Sequence, residues 1–174
     1  MHGDREAFGA LASLSLPRLV GTAGLILGNR DVAQDAAQDA LVRAWRDLPR
    51  LRDPDRFDGW LYRILVRACH DQRRRRGDRM PGLQSHIGAV YAAPDPAISV
   101  TERAAVAAGL ARLTPDQRVV LVLRYYLDLP LDAIAEAIGA PAGTVKSRLH
   151  RALNAMEAAL AAEARATAQQ EGTA

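Results

Sequence analysis

The chain has 174 residues, 49% of them apolar but only 5% aromatic, and a formal net charge of +3. A single cysteine, Cys69, excludes an intramolecular disulfide and a Cys-rich zinc site. The N-terminus lacks a basic segment leading into an apolar run, and no stretch reads as a bilayer span, so a soluble cytoplasmic protein without membrane insertion is expected.

Alanine supplies much of the apolar share, and it favours helices while covering little area. Strand signals are weak throughout. The first half predicts a short helix over 4–14 stopped before Pro17, and a second from Pro17 to Gly28-Asn29. Asp31-Val32-Ala33-Gln34 has the form of a capping box and opens a helix bearing Ala36, Ala40, Ala44 and Leu48, ended by Pro49. A loop over 49–54 precedes a long helix over 55–76.

From Gly77 the texture changes. Met80-Pro81-Gly82 and Ala93-Pro94-Asp95-Pro96 punctuate a stretch without periodicity, which reads as an interdomain linker. Ser99-Val100-Thr101-Glu102 is a further capping box, with a helix to Arg112. Thr114-Pro115-Asp116-Gln117 is the clearest, with Pro115 at the first helical position. The expected fold is all-α: two small helical domains, 4–76 and 99–162, joined by a flexible linker over 77–98, with a disordered tail over 163–174.

Leu131, Ile134, Ala135 and Ile138 form an apolar stripe on a short helix, and Gly139 supplies the left-handed conformation of a tight stop. Pro141 begins the next helix, with Val145, Leu149, Ala152, Leu153 and Met156 on one face. That is the helix-turn-helix pattern. The opposite face offers Ser147, His150 and Arg151, flanked by Lys146 and Arg148. Recognition helices read the major groove with their N-terminal residues, and these side chains sit there.

Basic charge is concentrated in two zones. From Trp60 to Arg76 the sole acid, Asp71, faces Arg63, Arg67 and the run Arg73 to Arg76. Between Glu136 and Glu157 there is no acid, while Lys146, Arg148 and Arg151 cluster there. Two such zones in a nearly balanced chain point to two anionic contacts. Cys69-His70-Asp71 does not make a catalytic set, because adjacent helix residues diverge around the axis. No phosphate-binding loop or metal-ligand spacing is present, so neither an enzyme nor a cofactor is expected.

The segment from Gly143 to Ala152, Gly-Thr-Val-Lys-Ser-Arg-Leu-His-Arg-Ala, resembles region 4.2 of the sigma-70 family. Leu113-Thr114-Pro115-Asp116-Gln117-Arg118 resembles the start of a preceding helix of that family. Independently, Asp35 to Arg46 is similar to region 2.2, and Phe57 to Ile64 to the opening of the promoter-melting helix. The order and the absence of further domains resemble the extracytoplasmic-function (ECF) group. The family often carries Arg-Asn where this chain has Val66-Arg67, and Pro141 stands in place of a Ser-like helix start.

The resemblance implies a specificity subunit of RNA polymerase. It implies minus-35 contacts from Thr144, Lys146, Ser147, Arg148, His150 and Arg151, and minus-10 contacts from Arg52, Arg56, Trp60, Arg63, Arg67 and Arg74. Asp35, Gln38, Asp39, Arg43 and Arg46 would meet core polymerase at the coiled coil of its largest subunit, with the flap a second contact. An anti-sigma factor is an expected partner. The competing readings are a free-standing helix-turn-helix regulator, which usually dimerises on palindromic sites, and an interaction module without transcriptional activity.

Overall fold

The computed structural model describes residues 2–76 and 100–171. Among these the secondary structure is helical: α1 (His2–Leu27), α2 (Arg30–Asp47), α3 (Phe57–Arg76), α4 (Val100–Arg112), α5 (Pro115–Tyr125), α6 (Leu131–Ile138) and α7 (Ala142–Glu171). Short 3₁₀ turns at Leu48–Arg50 and Pro54–Arg56 bracket the expected loop. The linker over 77–98 and the cap expected at Ser99 lie outside the described residues.

Helix α1 corrects the first expectation, since it runs unbroken through Pro17. A proline inside a helix costs about 3 kcal/mol through its missing N–H and its steric clash. Burial of Leu19, Leu25, Ile26 and Leu27 outweighs that, each worth about 1.5–3 kcal/mol. Local chemistry predicted a break; tertiary packing overrode it. The same helix corrects the membrane argument. Arg5–Leu27 is long and apolar enough to pass for a span, with mean hydropathy 1.5 over its most apolar stretch. Its apolar C-terminal half is instead packed into the core.

Helix α2 starts two residues earlier than Asp31 suggested. Asn29 is the cap, its side-chain oxygen accepting from the Val32 N–H at 3.0 Å. Ala33, Ala36, Ala37, Ala40 and Ala44 are fully buried along one face, so α1 and α3 pack on α2 through small side chains. In α3, Leu61, Ile64, Leu65, Ala68, Cys69 and Gln72 face inward at helical spacing. Val66 is buried as well, which leaves no room there for the family's arginine.

In the second half the Thr114 capping box forms as expected. Thr114 Oγ1 accepts from the Gln117 N–H at 3.3 Å, and Gln117 Oε1 accepts from the Thr114 N–H at 2.9 Å. Helix α6 ends at Gly139 with φ 65°, the left-handed stop. The Pro141 carbonyl accepts from Thr144 and Val145, launching α7. Val145 and Ala152 are buried, whereas Leu153, expected in the core, is 39% exposed. Helix α7 continues to Glu171, through residues expected to be a disordered tail, over an alanine-rich run that favours helix.

The halves are not separate. Helix α1 packs on α5 and α3 on α6, and one apolar core contains residues of both. Arg118, 2% exposed, ties them together. Its guanidinium donates to the carbonyls of Leu110 (2.9 Å), Leu113 (3.2 Å) and Ile26 (3.1 Å). A buried cation thus sits against the carbonyl-rich ends of α4 and α1, where helix dipoles favour positive charge. Burial, and then the nearby Arg73, pull its pKa down to about 10.

Candidate nucleic-acid and polymerase interfaces

On α7 the turn at Gly139 and the buried Val145 and Ala152 fix which side faces out. Lys146, Ser147, His150 and Arg151 are exposed and Thr144 is half-buried. Arg151 Nε donates to the Ser147 carbonyl at 3.1 Å and an Nη lies 3.4 Å from Ser147 Oγ, so the two side chains form a local pair. His150 and Asn154 are 3.4 Å apart on the next turn. Arg148 differs. It turns back toward α5 and pairs with Asp116 at 3.2 Å.

Several arginines of the first half fall on one side of α3 and of the turns before it. Arg56, Trp60, Arg63 and Arg67 follow each other at intervals of three and four residues, so they share a face. With Arg52 they line a cleft of about 700 Å³ between α3 and α6. Arg74 extends the stripe two turns further and does not line the cleft. Trp60 is half-buried and packs on Phe57 with the rings tilted by 44° and their centroids 5.9 Å apart. Across the cleft Arg63 Nη1 meets Glu136 Oε1 at 3.4 Å.

The acidic residues of α2 divide between two surroundings. Asp39 faces α3, 3.8 Å from Arg43, 3.7 Å from Arg75 and 3.5 Å from the Gln72 amide. Asp35 pairs with Arg76 at 3.2 Å, and Arg43 with Asp71 at 2.7 Å. Part of the Arg73 to Arg76 run is thus neutralised within the domain. What stands outward on α2 is a stripe at spacings of three and four: Asp35, Gln38, Val42 and Trp45. Val42 is 51% and Trp45 38% exposed, and Phe8 of α1 supports the indole at 4.9 Å. Arg46 is exposed beside it. The outward exposure of Val42 and Trp45 was not picked out from the sequence, although their spacing after Asp35 and Gln38 was visible.

Residues 11–79 match the family described as Sigma-70 region 2, and residues 103–156 match Sigma-70, region 4. This chain belongs to the sigma-70 family. Within that family the sigma factor is similar to ECF members. It is 29% identical to the ECF RNA polymerase sigma factor SigW of Bacillus subtilis, covering 88% of this chain and 89% of that one. It is 31% identical to the RNA polymerase sigma-H factor of Pseudomonas aeruginosa, covering 91% and 89%. With the ECF sigma factor SigM of Mycobacterium tuberculosis the identity is 35%, over 86% and 75%.

Two solved structures share the fold. One is the sigma factor RpoE bound to the anti-sigma factor NepR from Bartonella quintana, with TM-score 0.72, 26% identity and coverage of 89% of this chain and 97% of that one. The other is CnrH with the cytosolic domain of CnrY, with TM-score 0.64, 27% identity and coverage of 91% and 90%. With regions 2 and 4 both present, the function is that of an RNA polymerase sigma factor of the ECF group. The reading as a free-standing regulator is not favoured.

Proposed function

We propose that this sigma factor recognises the minus-35 element with the exposed side of α7 and the minus-10 element with the arginine stripe of α3. On α7, Ser147 and Arg151 are the base-reading pair, because Arg can engage both acceptors of guanine. Lys146, Thr144 and His150 contact the backbone or adjacent edges. Arg148 supports the helix through Asp116. On the other domain Arg52, Arg56, Arg63, Arg67 and Arg74 anchor phosphates beside Trp60, a half-buried aromatic at the cleft edge. Their contacts release counterions, so binding weakens steeply with salt.

Helix α2 meets the coiled coil of the largest polymerase subunit, and the second domain meets the flap. Val42 and Trp45 form the apolar centre of the α2 contact, with Asp35, Gln38 and Arg46 around it, while Asp39 and Arg43 hold α2 to α3. Charged rims of this type set register and on-rate, and buried aromatics carry most of the affinity. The protein works in the cytoplasm beside polymerase, catalyses no reaction itself and needs no cofactor. By analogy with the two solved relatives, an anti-sigma factor is its regulatory partner.

The observation that carries this reading is the outward projection of Lys146, Ser147, His150 and Arg151 from the first turns of a helix seated by Val145. Transcription in vitro with core polymerase over a promoter library tests it. Transcripts that depend on this chain and share two spaced elements support it. Failure to associate with core polymerase, or transcripts without a common upstream element, overturns it.

A further inference from the structure

The exposed side of α7 carries a second side-chain pair besides Ser147 and Arg151. The Nδ2 amide of Asn154 lies 3.4 Å from Nε2 of His150, one helical turn earlier. Both residues are exposed, and the helical period puts Asn154 between Ser147 and His150 in angle, on the side turned away from Val145 and Ala152. Asn154 is not placed to read a base itself. Recognition helices reach base edges with their N-terminal residues, whereas Asn154 lies about 6 Å beyond His150 along a helix that starts at Ala142.

Its effect passes through the imidazole. A neutral imidazole has one N–H and one bare nitrogen, and the hydrogen bond made at one nitrogen decides which of them carries the proton. The Asn154 amide donates to Nε2, so the proton belongs on Nδ1, and the polar atom left for DNA is a donor. Its neighbours are of the same kind. Lys146 and Arg151 can only donate, and the Ser147 hydroxyl already gives its proton to the Thr144 carbonyl at 3.0 Å. Lys146, His150 and Arg151 together suit acceptors: phosphate oxygens, or purine N7, guanine O6 and thymine O4 in the major groove. Without Asn154 the ring is free to turn a bare nitrogen outward, toward the amino groups of adenine and cytosine.

We propose that Asn154 is a positioning residue for promoter recognition: by donating to His150 Nε2 it fixes the Nδ1–H tautomer and so sets His150 to read a hydrogen-bond acceptor on the minus-35 element. This rests on the reading that the exposed side of α7 contacts that element.

Two measurements test it. The first is nitrogen NMR of the full chain with isotope-labelled histidines at about pH 8, above the ordinary imidazole range, with His150→Ala assigning the signal. The native protein should carry the proton on Nδ1. Asn154→Ala should return the ring to a mixture of tautomers, and Asn154→Asp, whose carboxylate only accepts, should move the proton to Nε2. The same nitrogen protonated in the native protein and in Asn154→Asp overturns the proposal.

The second is transcription by the holoenzyme over a randomised promoter library. Asn154→Ala and His150→Ala should each lose about three- to tenfold, and the double variant no more than His150→Ala alone, because one acts through the other. A loss confined to one upstream position marks a base acceptor, and a uniform loss marks a phosphate. A further loss in the double variant would put Asn154 on the DNA in its own right and refute the positioning role. If Arg151→Ala alters selection while His150→Ala and Asn154→Ala do not, the role is refuted and the DNA reading of α7 survives. If none of the three alters it, that reading falls, and the positioning role with it.

Discussion

Arg118 and Ile26 are 92 residues apart in sequence, yet the guanidinium of one donates to the carbonyl of the other at 3.1 Å. The same cation closes the end of α4 through Leu110 and Leu113, so one side chain terminates two helices from different domains. Replacing it with methionine keeps apolar volume but strips buried carbonyls of their donor. Arg118→Met should lower stability by about 3 kcal/mol, since bonds from a charged donor are worth about 1.5–3 kcal/mol each and the lost charge recovers part of its desolvation cost. Urea unfolding checks this; a loss below about 1 kcal/mol would mean the bonds are marginal.

The α2 stripe makes a prediction about polymerase. Trp45 stands at the end of the row Asp35, Gln38, Val42, with its ring braced by Phe8. Trp45→Ala should weaken association with core polymerase by about 2 kcal/mol, the usual cost of truncating an aromatic at the centre of an interface. Val42→Ala should cost less, and Asp39→Asn should act mainly on stability, because Asp39 faces α3. Titration of labelled sigma factor with core polymerase measures all three. Wild-type affinity in Trp45→Ala would remove the stripe from the docking surface.

Cys69 gives a pH dependence. Burial pushes its thiol up to about 12 from an ordinary 9.0. Below the ordinary value the thiol is protonated in both folded and unfolded chains and contributes no slope. Above it the unfolded chain ionises first, so stability falls by up to about 1.4 kcal/mol per pH unit until the folded thiol also titrates. Between about pH 8 and pH 10 the melting temperature of the native protein should therefore drop more steeply than that of Cys69→Ala. Parallel curves would show that the thiol is accessible to water.

Much of the second domain was legible because its signals are local. Thr114 and Gln117 cap each other within four residues, and Gly139 is the kind of residue a left-handed stop selects. What failed was what depends on distant chain. Pro17 reads as a breaker until the burial of Leu19 and Ile26 is known. Leu153 fits an apolar stripe, but α4, α5 and α6 cover only one side of α7, and its position lies beyond them. The pairing of Arg148 with Asp116 of another helix could likewise not be read from its spacing beside Lys146 and Arg151. The spacing of Asp35 and Asp39 on α2 did not show that Asp39 also reaches Arg75 and Gln72 of α3, nor that Trp45 is exposed further along the helix.

The most direct measurement compares Arg151→Ala with Arg148→Ala in transcription over a randomised promoter library. Arg151 is exposed beside Ser147, while Arg148 is paired with Asp116. The account predicts that Arg151→Ala loses preference at one or two upstream positions, by about 1–3 kcal/mol, with the downstream element still selected. Arg148→Ala should keep every preference. If Arg151→Ala selected the same upstream sequence as the native protein, the exposed side of α7 would not be reading DNA.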